Sequence, residues 1–399
     1  MTLPFKLVSA DSHIAEPPDL WTTRIDAKFR DRAPRLVSTD DGDAYVIDGA
    51  MHPGSRIGLI ATKAKYLNPH MSFGMNGCWA DVPEGGYDPV VRAEEMDREG
   101  IEAELVYTSF GLGLFALTDH EYRRACLRAF NDWLAEHCAG APNRLFGVAM
   151  IATDDIDRSV AELERCVGMG LRGAMISIGQ ASGEDYGDAR FRAFWSAAES
   201  LEVPISLHVA ATETGWKNTG SNFVDFACVF TPTMYAITAM IFSGLFDRHP
   251  KLKVLSVEND ASWPLAVLER MDDRWAHDQL WAPGTGRPAC ITSGRKPSDI
   301  FHGHVACTFM RDRTAIVNRE IIGRDNLMWG ADYPHFDGAW PDSAATLERQ
   351  FDGVPLEDQM AIGRNNVIKY YNLPLELASA PSPAEDPTVV ATERHVGVR

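Results

Sequence analysis

A barrel of eight strand–helix units is the fold this sequence predicts, on three observations. Eight short, β-rich apolar runs recur along the chain, most are followed by a helical pattern, and no GxGxxG loop follows the first run. Eight units over about 300 residues match a (β/α)8 TIM-like barrel of the α/β class. A doubly wound sheet would not normally use eight units and would carry its phosphate loop after the first strand.

The runs are 6–13 (KLVSADSH), 103–109 (AELVYTS), 145–151 (LFGVAMI) and 172–178 (RGAMISI). They continue with 204–210 (PISLHVA), 253–259 (KVLSVEN), 304–310 (HVACTFM) and 326–335 (NLMWGADYPH). Most are continuously apolar, as strands covered on both faces are. Helical patterns fill 120–139, 155–169, 188–201, 232–248 and 261–277. About ninety residues separate the first run from the second, far more than one crossover needs. Within them, 40–50 (DDGDAYVIDGA) reads as a hairpin on an Asp-Gly turn, and 62–86 as an insertion over the barrel mouth. The expected organisation is a barrel domain over 1–372 with an insertion at 38–87, and a Pro/Ala/Ser-biased tail at 373–399, disordered or wrapped on a neighbouring subunit.

The 399 residues are 45% hydrophobic and 24% charged with ten Trp, so a large core is expected. Thirty-eight Lys and Arg against 56 Asp and Glu give a charge of -18, which argues against a sequence-independent nucleic-acid binder. Anionic small molecules remain open, because a local basic cluster suffices. The apolar stretches look far shorter than a membrane span, and the N-terminus lacks a signal-peptide pattern. Seven Cys without a CxxC pair point to a reducing, cytoplasmic setting and to mostly buried thiols.

Ionisable groups recur where the strands end, and barrel active sites lie at that face. The first run ends in Asp11-Ser12-His13, with Glu16 following; alternation puts Asp11 and His13 on one face. The fifth ends in His208, the sixth in Glu258, and the eighth in Asp332 with His335 beyond. Taken singly, a strand-end His is an ordinary hydrogen-bonded residue, and Glu258 could merely cap the helix that begins near Ala261. Four strands delivering His or carboxylate to one rim point instead to a divalent metal site. Imidazoles and carboxylates without a thiolate set suit iron, zinc or manganese, as one or two ions.

The motifs DSHIAEPPDLW, SLHVAA, HPKLKVLSVENDASW and GADYPH resemble the amidohydrolase superfamily. The similarity is to the branch that includes aminocarboxymuconate semialdehyde decarboxylase and hydrolase or thioesterase relatives, and it runs from Lys6 to Leu373. It implies that Asp11 and His13 are first-strand ligands, His208 the fifth-strand ligand, and Asp332 a carboxylate that touches metal and moves protons. The chain departs from the pattern in three ways. Many decarboxylases of the branch have His or Glu at the position of Asp11 and a His at that of Glu258. The fourth run, RGAMISIG, offers no Lys for the bridging carbamate of binuclear amidases. Glu16 and Glu258 then stand as extra carboxylates for a bridging or second-metal role.

The leading functional expectation is metal-dependent hydrolysis of an amide, ester, lactone or acyl thioester such as an acyl-CoA, with Asp332 and Glu258 catalytic. The alternative is non-oxidative decarboxylation of an aromatic or enoic acid, in which Asp332 protonates carbon. Around the mouth, Tyr66, Met71, Phe73, Met75, Trp79, Trp216, Phe223, Trp281 and Trp340 suggest a bulky, largely apolar small-molecule substrate, with His335, Trp216 and Trp79 nearest the chemistry. Basic residues Arg56, Lys63, Lys65, Lys217, Arg295 and Lys296 in the same loops are mostly solvated, with two or three free to meet a carboxylate or phosphate. Neither nucleic acid nor membrane is an expected partner, and a homodimer or higher homo-oligomer is.

Overall fold

The computed structural model describes residues 3–68, 74–214, 222–277 and 289–379. After β1 (Leu7–His13) comes a small sheet of β2 (Arg35–Thr39), β3 (Gly42–Ile47) and β4 (Ala50–Arg56). The remaining strands are β5 (Ile101–Tyr107), β6 (Leu145–Met150), β7 (Gly173–Ile176), β8 (Ile205–His208), β9 (Val254–Val257), β10 (Val305–Phe309) and β11 (Leu327–Trp329). Those seven and β1 form one sheet in the order β1-β5-β6-β7-β8-β9-β10-β11, every neighbouring pair parallel. Each of the eight strands falls on one of the eight apolar runs. Apart from half-buried Glu102 in β5, their residues are all buried, which is why the runs lack alternation.

The sheet curls until its two edges meet. There Ala331 N–H donates to Ser9 Oγ and Asp332 N–H to Asp11 O, both at 2.9 Å. This seam sets Asp332 beside Asp11 and His13. Inside the barrel, Tyr107 Oη lies 2.9 Å from both Ser206 Oγ and Tyr371 Oη, so the buried hydroxyls satisfy one another. Helices wrap the outside and start where the sequence supplies caps. Asp88, Asp119 and Asp155 accept backbone N–H bonds at the starts of Pro89–Glu99, His120–Ala139 and Ile156–Gly168.

Three expectations need correction. The 40–50 segment contributes to two hairpins, because β3 pairs with β2 across Asp40-Asp41 and with β4 across Asp48-Gly49, where φ is 52° and 78°. The helices Asn222–Ala227 and Thr231–Phe242 make Phe223–Phe242 a 20-residue apolar helical stretch, longer than the sequence reading allowed, and 28% of its 18-residue window is buried. Residues 289–296, ahead of β10, do not line the mouth. A segment that precedes a strand enters at the N-terminal face, and Arg295 there pairs with Asp247 and contacts His304, whose ring bonds Leu252 O just ahead of β9. The tail beyond 379 lies outside the described residues; what precedes it is held by Arg364, which donates to Lys6 O and Glu376 O.

A Cβ on Gly330 would stand 2.6 Å from Asp11 Cβ and 3.0 Å from Asp11 O, so the seam leaves no room for a side chain. Gly330→Ala is expected to lose about 1–3 kcal/mol, the usual range for overpacking. Urea unfolding checks this, and an alanine variant as stable as the parent would contradict so close a seam.

Candidate metal centre

Asp11 and His13 lie two apart on β1 and project into the barrel, while Ser12 between them turns outward to Glu104 at 3.2 Å. His208 ends β8, Glu258 follows β9 directly, and Asp332 lies just past β11. Glu258 and Asp332 have φ of 55° and 54°, a left-handed conformation that costs a non-glycine residue about 1–3 kcal/mol. That strain turns both carboxylates inward at the rim. Glu258 does not cap the following helix; its N–H donates to Thr308 Oγ1, and Asp312 takes the Ala261 N–H instead.

His13 Nε2 is 3.3 Å from Asp332 Oδ1, 3.4 Å from Glu258 Oε2 and 3.6 Å from Asp11 Oδ1. His208 Nε2 is 3.3 Å from Glu258 Oε2 and 3.6 Å from Asp11 Oδ1. Two donors each about 2.1 Å from one ion stand roughly 3.0–3.4 Å apart, so this spacing needs little adjustment to hold one. All five converging atoms are buried, and apart from Asp332 Oδ1, which has His335 Nδ1 at 2.8 Å, they lack a hydrogen-bond partner. Carbonyls set the ring orientation: His13 Nδ1 donates to Thr108 O at 2.7 Å and His208 Nδ1 to Val209 O at 2.8 Å. A carbonyl only accepts, so each Nδ1 carries a proton and each ring aims its Nε2 at the cluster, as a lone pair whenever the ring is neutral.

The electrostatics show how strongly these groups act on one another without a cation. Burial, then the His335 charge, pushes His13 down to about 4. Burial acts the same way on His208, but the Asp11 and Glu258 carboxylates outweigh it and raise that ring to about 9. Burial lifts Glu258 to about 7 with help from Asp332, and burial plus the Asp11 charge hold Asp332 well above the usual carboxylate range. Asp11 alone among the three carboxylates is lowered; burial opposes this, but the neighbouring His208, then His13, prevail.

His335 belongs beside this set. Its Nδ1 lies 2.8 Å from Asp332 Oδ1, its Nε2 is 3.0 Å from Ser109 Oγ, and its ring stacks on His13 with centroids 3.9 Å apart. Four-donor sets of Asp11, His13, His208 and Glu258, and of His13, Glu258, Asp332 and His335, overlap at His13 and Glu258 and so describe one centre. Glu16 is not brought into it. Its buried carboxylate is occupied by Thr108 Oγ1 and by the N–H groups of Ser109, Phe110 and Gly111. Trp79 packs on Tyr87, with centroids 5.2 Å apart, and not on the cluster. Trp216, Trp281, Met71, Phe73 and Lys217 lie outside the described residues. Of the basic residues, Arg56 pairs with Asp41, whereas Lys65 is buried and donates to Gly338 O at 3.2 Å; burial, then Arg311, lower its pKa, against the charges of Asp332 and Asp337.

The sequence reading missed two supports. Ser109 ends the second apolar run as a hydroxyl among apolar residues, a signal that was available. Arg92 is buried on an outer helix, stacks over Tyr333 at 3.7 Å, bonds Glu104 at 2.7 Å and reaches His13 O at 3.1 Å. Nothing in its local sequence announces that reach.

Known proteins place this centre in context. The chain is 27% identical over 307 residues to a gamma-resorcylate decarboxylase of Rhodococcus jostii, covering 71% of this chain and 87% of that protein. Its fold matches an amidohydrolase from Mycobacterium avium subsp. paratuberculosis with TM-score 0.75 and 21% identity, over 92% of this chain and all (100%) of that one. It also matches a dihydroxybenzoic acid decarboxylase from Polaromonas sp. JS666, solved with manganese and the inhibitor 2-nitroresorcinol, with TM-score 0.61 and 20% identity over 93% and 98% of the two chains. These relatives overturn the expectation of hydrolysis. That reading leaned on Glu16 as a carboxylate for a second metal, and Glu16 is consumed by the 109–111 backbone. The amidohydrolase family profile matches residues 47–373, most of the chain, and the chain belongs to that family.

Proposed function

We propose that the protein is a metal-dependent, non-oxidative decarboxylase of a hydroxylated aromatic acid. The observation that carries the metal half is the convergence of five buried donor atoms from Asp11, His13, His208, Glu258 and Asp332, four of them unpartnered. The reaction half is supported by the decarboxylases among its relatives. Those five residues would hold one ion. Carboxylates outnumber imidazoles among them and none of the seven free cysteines joins them, so manganese is our first choice, ahead of the iron or zinc expected from sequence. Seven free thiols also support a reducing compartment.

When bound, the ion supplies a positive anchor for the substrate carboxylate or its neighbouring hydroxyl. The chain supplies the rest. Lys65 offers buried positive charge on the Gly338 loop and would pair with the substrate's anionic edge. Asp332, braced by His335 and with its Oδ1 turned to the cluster, would give its proton to the ring carbon that bears the carboxylate. The new C–H bond forms, the C–C bond to the carboxylate breaks, its electron pair returns to the ring, and carbon dioxide leaves. Burial and the Asp11 charge favour the protonated Asp332 this step needs, while a cation in the cluster acts in the opposite sense. The barrel walls keep bulk water from competing as proton donor.

Incubation of manganese-loaded enzyme with 2,6-dihydroxybenzoate and related hydroxybenzoates in D2O tests the reading. Carbon dioxide release with one deuterium at the vacated ring position is expected; no release with manganese, zinc or iron would sink it. His208→Ala should lose most bound metal with the fold retained. Asp332→Asn should lower kcat by about 10²–10⁴-fold, the range for a positioned general acid. Lys65→Met should raise KM more than it lowers kcat, and an unchanged KM would remove it from the substrate site.

We also propose a homo-oligomer. Leu67 and Met75 in the insertion, and Phe223, Val224, Phe226 and Tyr235 on the apolar helices, are exposed. Light scattering should give at least a dimer mass at micromolar concentration; a monomer would contradict this.

A further inference from the structure

Glu16 belongs to neither donor set of the cluster, yet its carboxylate is heavily hydrogen-bonded. It is fully buried. Oε1 accepts the Thr108 hydroxyl and the backbone N–H groups of Ser109, Phe110 and Gly111 at 3.0, 3.1 and 3.1 Å, and Oε2 takes a share of Phe110 N–H at 3.2 Å. Gly111 N–H also meets Thr108 Oγ1 at 2.8 Å, and a Cβ on Gly111 would collide with that oxygen at 2.2 Å. The 108–111 turn is therefore wound tightly on a single carboxyl group. Glu16 is itself fixed: Tyr45 Oη donates to its carbonyl, and the Tyr45 ring stacks on Phe110 with centroids 3.9 Å apart.

Two atoms of that turn face the metal cluster. Thr108 O receives the His13 Nδ1–H at 2.7 Å and so sets that ring's tautomer and tilt. Ser109 Oγ meets His335 Nε2 at 3.0 Å, and His335 Nδ1 lies 2.8 Å from Asp332 Oδ1. One carboxylate thus stands behind both a ligand and the proton-bearing acid, on strands at opposite ends of the sheet order. We propose that Glu16 is a positioning residue that fixes His13 and Asp332 in one geometry through the 108–111 turn. This rests on the metal-dependent reading above, in which His13 is a ligand and Asp332 the acid.

Substitution separates this role from the alternatives, since Oε1 carries most of the bonds and glutamine keeps that oxygen. Glu16→Ala should weaken manganese binding, followed by Mn(II) EPR titration, and lower kcat, each by about 10–100-fold as for lost outer supports of a ligand. Glu16→Gln should restore most of both. Ser109→Ala, which cuts only the arm to His335, should lower kcat while leaving manganese affinity within about twofold, and it covers the case in which Glu16→Ala fails to fold. A readout independent of metal is the ¹⁵N shift pattern of the His13 imidazole in metal-free protein. The parent should show a fixed Nδ1–H tautomer, and Glu16→Ala should show an averaged one. If Glu16→Ala only lowers Tm, with tautomer, manganese affinity and kcat unchanged, the proposal is overturned. Loss of manganese by Glu16→Gln as severe as by Glu16→Ala also overturns it, because the carboxylate would then act through its charge or as a ligand. Should the parent bind no manganese, the metal reading fails while the tautomer comparison still decides the role of Glu16.

Discussion

Everything at the C-terminal face is organised by an unbalanced burial of charge. Three carboxylates and two imidazoles aim buried atoms at one another inside the barrel, and only Asp332 Oδ1 has a further partner, in His335. A desolvated carboxylate without a partner costs several kcal/mol, and repulsion between neighbours adds to it. The protonation pattern shows the tension: one imidazole is driven up, the other down, and two of the three carboxylates are lifted. A divalent cation held in this cluster would offset that charge, and the donors fall into two overlapping sets that share His13 and Glu258. The left-handed backbone at Glu258 and Asp332 then becomes intelligible as strain held by the surrounding barrel to keep those atoms converging.

Such a cluster holds its shape only if the layer behind it is rigid. Carbonyls of Thr108 and Val209 fix the two rings, and Arg92 ties His13 O to Glu104 on the next strand. Glu104 also takes the outward hydroxyl of Ser12, so the residue between the two first-strand ligands is pinned from outside the barrel. The seam bond from Asp332 N–H to Asp11 O couples the last strand to the first. Barrel closure and site assembly are therefore one event, and the site is complete only when the final strand has docked.

How much of this was legible in the sequence follows from what each feature depends on. The eight strands were, because burial on both faces leaves an apolar run that survives in a one-dimensional reading, as in Leu145–Met150. Asp11, His13, His208, Glu258 and Asp332 were legible because a barrel converts strand ends into neighbours. Glu16 was misplaced because spacing on a loop carries no direction: three residues past His13 the chain has left the strand, and the carboxylate turns to the 109–111 backbone. The 289–303 segment was misplaced for want of one topological step, since a loop before a strand belongs to the opposite face from a loop after it. Arg92 was invisible because its partners lie 12 residues ahead in Glu104 and 79 behind in His13.

The choice between hydrolysis and decarboxylation was beyond the sequence for a different reason. Both chemistries ask a metal to hold an oxygen anion and a carboxyl to move a proton, so both select the same strand-end residues. They differ in how many carboxylates are free to serve a second ion, and freedom is a property of hydrogen bonding. Once four donors are counted on Glu16, the acidic motif after the first strand ceases to be evidence for a second metal. Glu258 carries the matching argument at the sixth strand of the barrel. Standing where many decarboxylases of the branch have histidine, it puts a third anion among the donors, and its Oε2 lies within 3.4 Å of both imidazoles. A negative ligand there binds the cation more strongly and leaves the centre with less positive charge to place on substrate. Lys65, buried against Gly338 O, would be the chain's own candidate for that charge, which Asp332 favours and which burial and Arg311 oppose.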